Sequence, residues 1–456
     1  MSKFTSDLVG LSKLPSDERL RALERIIPLG AVQEVLAQTG HDKRRCSCLP
    51  HWFMAYFVLG LGLFAKDSYA QIFKNLQRFR PGGTPRSNTF TEARKGLGIA
   101  PLRLLAGKLV RLLGTADTPG AFYKGLRLMA IDGFKLDLPD TPANVRVFGR
   151  PKSGRADGAF PQARVLALCE TGSHVFYRHQ VKPLRRGECS MAAVLLRWLQ
   201  EDMLLLWDRN FLSFKNVKQI KDRKAHLLAR IKAGPVFEPT EVLSDGSYLS
   251  KIYPSVHHRK RDHGGMVVRI IEYTLKGSGH ADDGKVHRLL TTLTDAKEHP
   301  AKELIILYHE RWEEELAIDE VKTHLQERPV LRSQTPAGVV QEIEGLLLAH
   351  FAVRALMQQA AFQQGLDPER LSFTATLKIL RCRLPEVPKN PRNRAGRKRW
   401  WEELLAEVSE QVLPGRRRRI NPRVIKCKMS KWKKKRPCHR KPPQPTKCFR
   451  ECIVIT

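Results

Sequence analysis

The stretch Tyr308–Lys322, YHERWEEELAIDEVK, decides how this 456-residue chain is read. From Tyr308, the residues Arg311, Glu315 and Lys322 follow at offsets of three, seven and fourteen. At roughly 100° per residue these four side chains fall within an arc of about 60° on one helix face, so a carboxylate is framed by two cations and a phenol. A carboxylate that binds a metal, beside cations that bind phosphate, is what phosphoryl transfer on nucleic acid needs. Glu310, Glu313, Glu314, Asp319 and Glu320 crowd the same stretch, so it reads as well as a charged, solvated helix with i,i+4 pairs.

The spacing Y-x2-R-x3-E-x6-K resembles the signature of the bacterial DDE transposases of the insertion-sequence-four family, and Tyr308, Arg311, Glu315 and Lys322 match it at every position. Two further blocks are similar to the family's and stand in the right order. LMAIDGFKLDLPDTPANVRVFG, around Asp132, resembles the first-aspartate motif, with Phe134 where Thr is usual. LLLWDRNFLSF, around Asp208, resembles the second, with Asn210 in place of Gly. Neither departure removes an acid. Similarity runs on through HLLARIK, HRLLTTLTD and LRSQTPAGVVQE and covers most of residues 20 to 380.

Hydrophobic patterning is consistent with an α/β fold. LRLMAIDGFKLDLP, RVLALCE, HVFYRHQV and LLLWD read as core strands, Met191 to Met203 as a helix, and the region after Pro300 as a long helix carrying the signature residues. Asp132 lies within or just after one strand and Asp208 directly after another. A carboxylate beside a buried strand is costly unless it meets a cation. Mixed strands followed by a helix with a third acid are the pattern of an RNase H-like core, a mixed sheet flanked by helices. The expected organisation is a helical N-terminal DNA-binding domain over 1–118, the core over 119–234 and 286–384, a β-rich insertion over 235–285, and a basic C-terminal region over 385–456.

Composition points to the same partner. A net charge of +34 and a pI near 10.1 suit nucleic acid, because neutralising phosphates releases condensed counterions. From Arg416 to Thr456 there are sixteen Lys or Arg against one Glu, a block that can hold DNA without reading its sequence. Near the amino terminus, TPRSNTFTEARKGLGIAPL places polar capping residues before a short basic helix ending at Gly96 or Gly98, and Arg86, Arg94 and Lys95 are its candidate DNA contacts. The longest apolar stretch, Trp52 to Ala65, is too short for a membrane span of about 20 residues and reads as a buried helix. The chain does not open like a secretory signal, and nine scattered cysteines fit a reducing cytosol. Cys427, Cys438, Cys448 and Cys452 with His439 lack the C-x2-C pairs of a zinc site.

The resemblance implies Asp132, Asp208 and Glu315 as catalytic acids and metal ligands, with Tyr308, Arg311 and Lys322 gripping the DNA backbone near a cleaved end. Hard oxygen donors favour two Mg2+ ions, roughly 3.5–4 Å apart, with Mn2+ able to substitute. It also implies cut-and-paste movement of an insertion sequence, double-stranded DNA of the element's terminal repeats and of the target as partners, a homodimer on paired ends, and a place in the bacterial cytoplasm at the nucleoid. Two other readings remain open: a catalytically degenerate DNA-binding repressor, and a metal-dependent nuclease of the same fold. Metal-dependent cleavage excludes the first, and strand joining excludes the second.

Overall fold

Helix His51–Leu63 holds no Asp, Glu, Lys or Arg in its thirteen positions, and every residue of it except Trp52 is buried. A helix apolar all round must be wrapped by protein or by lipid, and here the wrapping is protein. In the computed structural model the described residues are 23–42, 49–76, 83–153, 156–232, 234–277, 284–309, 311–387, 393–414 and 449–456. Among them no helix is long and apolar enough to cross a membrane. The chain forms two compact units, one from 1–121, 132–191 and 313–413, the other from 122–131, 192–312 and 414–456.

Thirteen strands occur among the described residues: β1 (Phe122–Tyr123), β2 (Leu126–Asp137), β3 (Lys152–Ser153), β4 (Ala156–Asp157), β5 (Gln162–Glu170), β6 (Val175–Pro183), β7 (Met203–Trp207), β8 (His226–Arg230), β9 (Glu241–Val242), β10 (Tyr248–Ile252), β11 (Met266–Leu275), β12 (His287–Thr291) and β13 (Ile453–Ile455). Strand β2 passes through both units, its first six residues in the second and its last six in the first.

The first unit is mainly helical. The 28-residue helix Pro336–Gln363 starts where Thr335 accepts from the Gly338 N–H with Pro336 at its first position, and it is buried over most of its length. Helix His51–Leu63 packs along it closely enough that glycine is required. A Cβ on Gly62 would sit 2.8 Å from that of Ala349, and one on Gly345 would collide with the Val58 carbonyl. Shorter helices Leu29–Gln38, Tyr69–Leu76, Ser87–Leu97, Ala100–Leu109 and Phe373–Arg383 share this core. The antiparallel pair β5 and β6 belongs to it too, with β5 next to β2 in the sheet. The amino-terminal helices therefore share one core with the Pro336–Gln363 helix, and the opening segment of the first unit ends at Ala121.

In the second unit a mixed sheet is built around β7, whose five residues MLLLW are all buried. A strand covered on both faces needs such a continuous apolar run. Strand β7 pairs in parallel with β2 on one side and β8 on the other. Antiparallel partners continue as β12, β11, β10 and β9. The strands of the expected insertion thus extend this sheet through the β11–β12 ladder. Its basic stretch HHRKRDHGG contributes a short helix, Val256–Lys260, capped by Ser255. Helix Ala301–His309 covers one face through Leu304, Ile305 and Tyr308.

Two local expectations are corrected. Met203 opens β7 and does not end a helix: helix Glu188–Leu195 tightens into a 3-10 turn at Leu196–Trp198, and the Met203 N–H then closes a turn on the Gln200 carbonyl at 3.1 Å. The C-terminal region is also not one basic tail. Helix Arg394–Ser409 buries Trp400, Trp401, Leu404, Leu405 and Val408 in the first unit. Residues 449–456 add a short helix and β13 to the edge of β11 in the second. Most of the basic block, with Cys427, Cys438, His439 and Cys448, lies outside the described residues.

Because the Gly345–Val58 contact has no room for a methyl group, Gly345→Ala is expected to cost about 1–3 kcal/mol or more. Denaturant unfolding monitored by circular dichroism measures this, and an unchanged midpoint would mean that the two helices separate at no cost.

Candidate active site

The β2–β7 ladder sets the position of two acids. Its last coupled pair is Ile131↔Trp207, so Asp132 and Asp208 are the next residues of two neighbouring parallel strands, which run about 4.8 Å apart. Asp132 still lies within β2 and is half-buried, its Oδ1 accepting from the Gly133 N–H at 2.7 Å. Asp208 leaves β7, its Oδ1 accepting from the Arg209 N–H at 2.8 Å. The two departures from the family motifs leave both acids in place. Phe134 is buried near Phe176, ring centroids 6.3 Å apart, and the Asn210 amide stands 3.5 Å from Asp208 Oδ2.

Asp208 shares the second unit with Tyr308 and Arg311. Tyr308 is only 8% exposed, and its hydroxyl donates to the Trp207 carbonyl at 3.2 Å, directly before Asp208. Burial is the main cause that pushes this phenol up to about 12, with Asp208 adding to it while Arg311 and Arg230 oppose it. The Tyr308 hydroxyl is engaged inside the unit and its ring belongs to the apolar core. Arg209, Arg230, Glu272, His287 and Arg288 line a neighbouring cavity of about 420 Å³. Arg209 stood in the quoted aspartate motif but was not singled out by sequence, and Arg230, beyond the motif, gave no local signal.

Asp132, Glu315 and Lys322 belong to the first unit. The signature stretch is not one long helix: Ala301–His309 and Trp312–Asp319 are α-helical, and Glu320–Leu325 is a π-helix, in which the Gln326 N–H bonds the Val321 carbonyl at 2.8 Å. The single face inferred from a constant 100° step is therefore interrupted between Tyr308 and Glu315 and again before Lys322. Burial along the last two segments still puts Glu313, Glu314, Ala317, Glu320 and Val321 inward, whereas Glu315 is half-buried and Lys322 exposed. A π-turn is a local irregularity that frequently accompanies a functional site.

The inward carboxylates overturn the reading of a solvated charged helix. Glu320 accepts from Arg354 Nε at 2.9 Å, from His350 at 2.9 Å and from His174 at 3.1 Å, and it also meets Arg354 Nη2. Burial opposes its ionisation, but Arg354 and then His174 outweigh it and hold Glu320 well below the usual carboxylate range. The other ring nitrogen of His174 donates to Glu313 at 2.9 Å. Breaking a buried pair of this kind costs roughly 3–5 kcal/mol. Ligand atoms of His174, Glu313 and Glu369 lie within 4.8 Å of one another, a spacing a metal could use. The Arg354 guanidinium against His174 and Glu320 already supplies positive charge there and would repel a divalent ion, so this cluster is an internal ion network.

Among the amino-terminal candidates, Arg86 is exposed at the start of helix Ser87–Leu97, which ends at Gly98 with a φ of +65°. Lys95 is exposed and paired with Glu92 at 2.7 Å. Arg94 is 5% exposed and donates to the Tyr69 hydroxyl at 2.7 Å, Ser333 Oγ at 3.1 Å and the Gly338 carbonyl at 2.8 Å. Its guanidinium holds helices of the first unit together and does not face a phosphate.

Tyr308→Phe removes the hydrogen bond to the Trp207 carbonyl and keeps the ring. A loss of about 1 kcal/mol in denaturant unfolding is expected; a variant as stable as the parent would mean that the hydroxyl carries no weight there.

Residues 17–106 match the family described as insertion element 4 transposase N-terminal, and residues 123–352 match the transposase DDE domain. The chain is 30% identical over 406 residues to the transposase InsG for insertion sequence element IS4 of Escherichia coli K12, an alignment covering 87% of this chain and 89% of that protein. It is also 30% identical over 124 residues to the putative transposase InsZ of the same organism, across 27% of this chain and 42% of that one. Among solved structures, a piggyBac transposase synaptic complex with hairpin DNA superposes with a TM-score of 0.44 at 11% identity, covering 88% of this chain and 86% of that one. With its helical amino-terminal segment and a mixed sheet flanked by helices, the chain belongs to the DDE transposases of the insertion-sequence-four family.

Proposed function

We propose that this transposase moves its element by metal-dependent cut-and-paste, with Asp132, Asp208 and Glu315 as the catalytic carboxylates. The observation that carries the reading is the β2–β7 register, which ends at Ile131↔Trp207 and makes two of the three acids the next residues of neighbouring strands. The donor set fits hard divalent cations, all three being carboxylates that are half-buried. Mg2+ bound there, with Mn2+ as a substitute, would lower the pKa of water or of a DNA 3′-hydroxyl and stabilise charge on the leaving oxygen.

The protein's own part is to hold the strand. Arg311 and Lys322 grip the phosphodiester near the cleaved end, and Arg209 and Arg230, which line the 420 Å³ cavity, suit a further backbone phosphate. Exposed Arg86 and Lys95 add non-specific contacts from the amino-terminal helices. In cleavage a water oxygen bonds to phosphorus, the bond to the 3′-oxygen breaks, and a 3′-hydroxyl is left at the element's end. In joining, that hydroxyl attacks a target phosphodiester and displaces its 3′-oxygen. Two protomers acting on paired ends complete the reaction.

Purified protein with Mg2+ and DNA bearing the sequences that flank its gene is expected to cleave and join strands. Asp132→Asn, Asp208→Asn and Glu315→Gln should each lose about 4 kcal/mol of transition-state stabilisation, roughly a thousandfold in rate, while still binding DNA. Binding without cleavage by the parent protein would favour the repressor reading, cleavage without joining the nuclease reading, and an active Glu315→Gln would remove Glu315 from the site.

Lys322→Ala should weaken binding evenly across DNA sequences and lower the slope of log affinity against log salt by about one. An unchanged slope would take Lys322 off the DNA.

A further inference from the structure

His174 closes the turn between β5 and β6 with a φ of +58°, a left-handed conformation that side-chain-bearing residues adopt only where their surroundings enforce it. The surroundings here are carboxylates. Its Nε2 faces Glu313 at 2.9 Å and Glu369 at 3.6 Å, its Nδ1 faces Glu320 at 3.1 Å, and Arg354 abuts the same Nδ1. The ring is fully buried. Burial and Arg354 favour the neutral form, yet Glu320 and Glu313 prevail and raise its pKa.

The two carboxylates it holds lie on either side of Glu315. Glu313 is in the first turn of helix Trp312–Asp319, and Glu320 opens the π-helix that carries Lys322. On the other side, the β5–β6 hairpin adjoins the half of β2 that bears Asp132: a Cβ on Gly133 would lie 3.2 Å from the Val165 carbonyl. All of these residues belong to the first unit.

We propose that His174 is a positioning residue for the reaction: by gripping Glu313 and Glu320 it fixes the rotation of the segment between them, and so holds the Glu315 carboxylate in register with the hairpin beside Asp132. Side chains behind a metal ligand set its orientation, and their loss typically lowers metal affinity or activity by 10- to 100-fold. The proposal rests on Glu315 being a metal-binding acid.

The test is His174→Gln, which keeps one donor but cannot span both carboxylates. Expected are a cleavage rate at saturating DNA about 10- to 100-fold lower, a higher Mg2+ concentration for half-maximal rate, and DNA affinity within about twofold of the parent. In metal-free protein, amide hydrogen exchange over residues 312–325 should quicken while the Pro336–Gln363 helix stays protected. A folded variant with parental rate, metal requirement and exchange overturns the proposal. A uniform loss of protection across the whole unit overturns it as well, since His174 would then be a stability residue only. If His174→Gln does not fold, Glu313→Gln keeps an acceptor for Nε2 without its charge, and parental kinetics and exchange in that variant also overturn the proposal. A parent protein that shows no metal-dependent cleavage would instead remove the underlying assignment of Glu315.

Discussion

Glu320 is ionised in the interior of the first unit because one arginine and two histidines surround it, and much of that unit's geometry follows from this arrangement. A buried carboxylate tolerates little displacement of its partners, since any gap leaves charge in a medium of low dielectric constant. The partners come from separate parts of the fold: His174 from the β5–β6 turn, His350 and Arg354 from helix Pro336–Gln363. Together they lock the signature segment against the hairpin and the long helix, and leave Glu315 and Lys322 on the outward side.

Helix Pro336–Gln363 is the common element of that unit. Its Gly345 lets the His51–Leu63 backbone approach, its Glu344 takes a bond from His179 at 2.9 Å, and its Glu342 accepts from the Ser333 N–H at 3.0 Å and hydroxyl at 2.6 Å. Polar residues in an otherwise apolar helix here mark its neighbours: each buried charge is met by a group from a different segment. The second unit is organised differently, around the wholly apolar β7, and its contribution to chemistry sits where that strand ends and Asp208 begins.

Several features were legible from the chain alone. The all-apolar Trp52–Ala65 stretch had to be a buried helix, the LLLWD run had to be a covered strand with its acid at the exit, and a glycine, Gly96 or Gly98, had to stop the basic helix; the structure ends it at Gly98. Each of these follows from local pattern. Less legible was which charged residues would face solvent. Arg94 and Lys95 are adjacent in sequence, yet Arg94 is buried against Tyr69 and Ser333, while Lys95 is on the surface. Glu313 and Glu320 looked like surface acids until tertiary contacts supplied their cations. The tyrosine of the signature looked like a DNA contact, and the structure uses its hydroxyl to hold the end of β7.

By itself, the sequence determined the family and the strand and helix types that carry its motifs, because motif spacing and hydrophobic period are properties of short stretches of chain. Only the tertiary structure decided that the signature helix breaks twice and ends in a π-turn, that the inserted strands join the main sheet, and that His174 meets a glutamate 146 residues away. The physical reason is burial: whether a charge costs or contributes free energy depends on partners brought together by folding, and no local spacing encodes them.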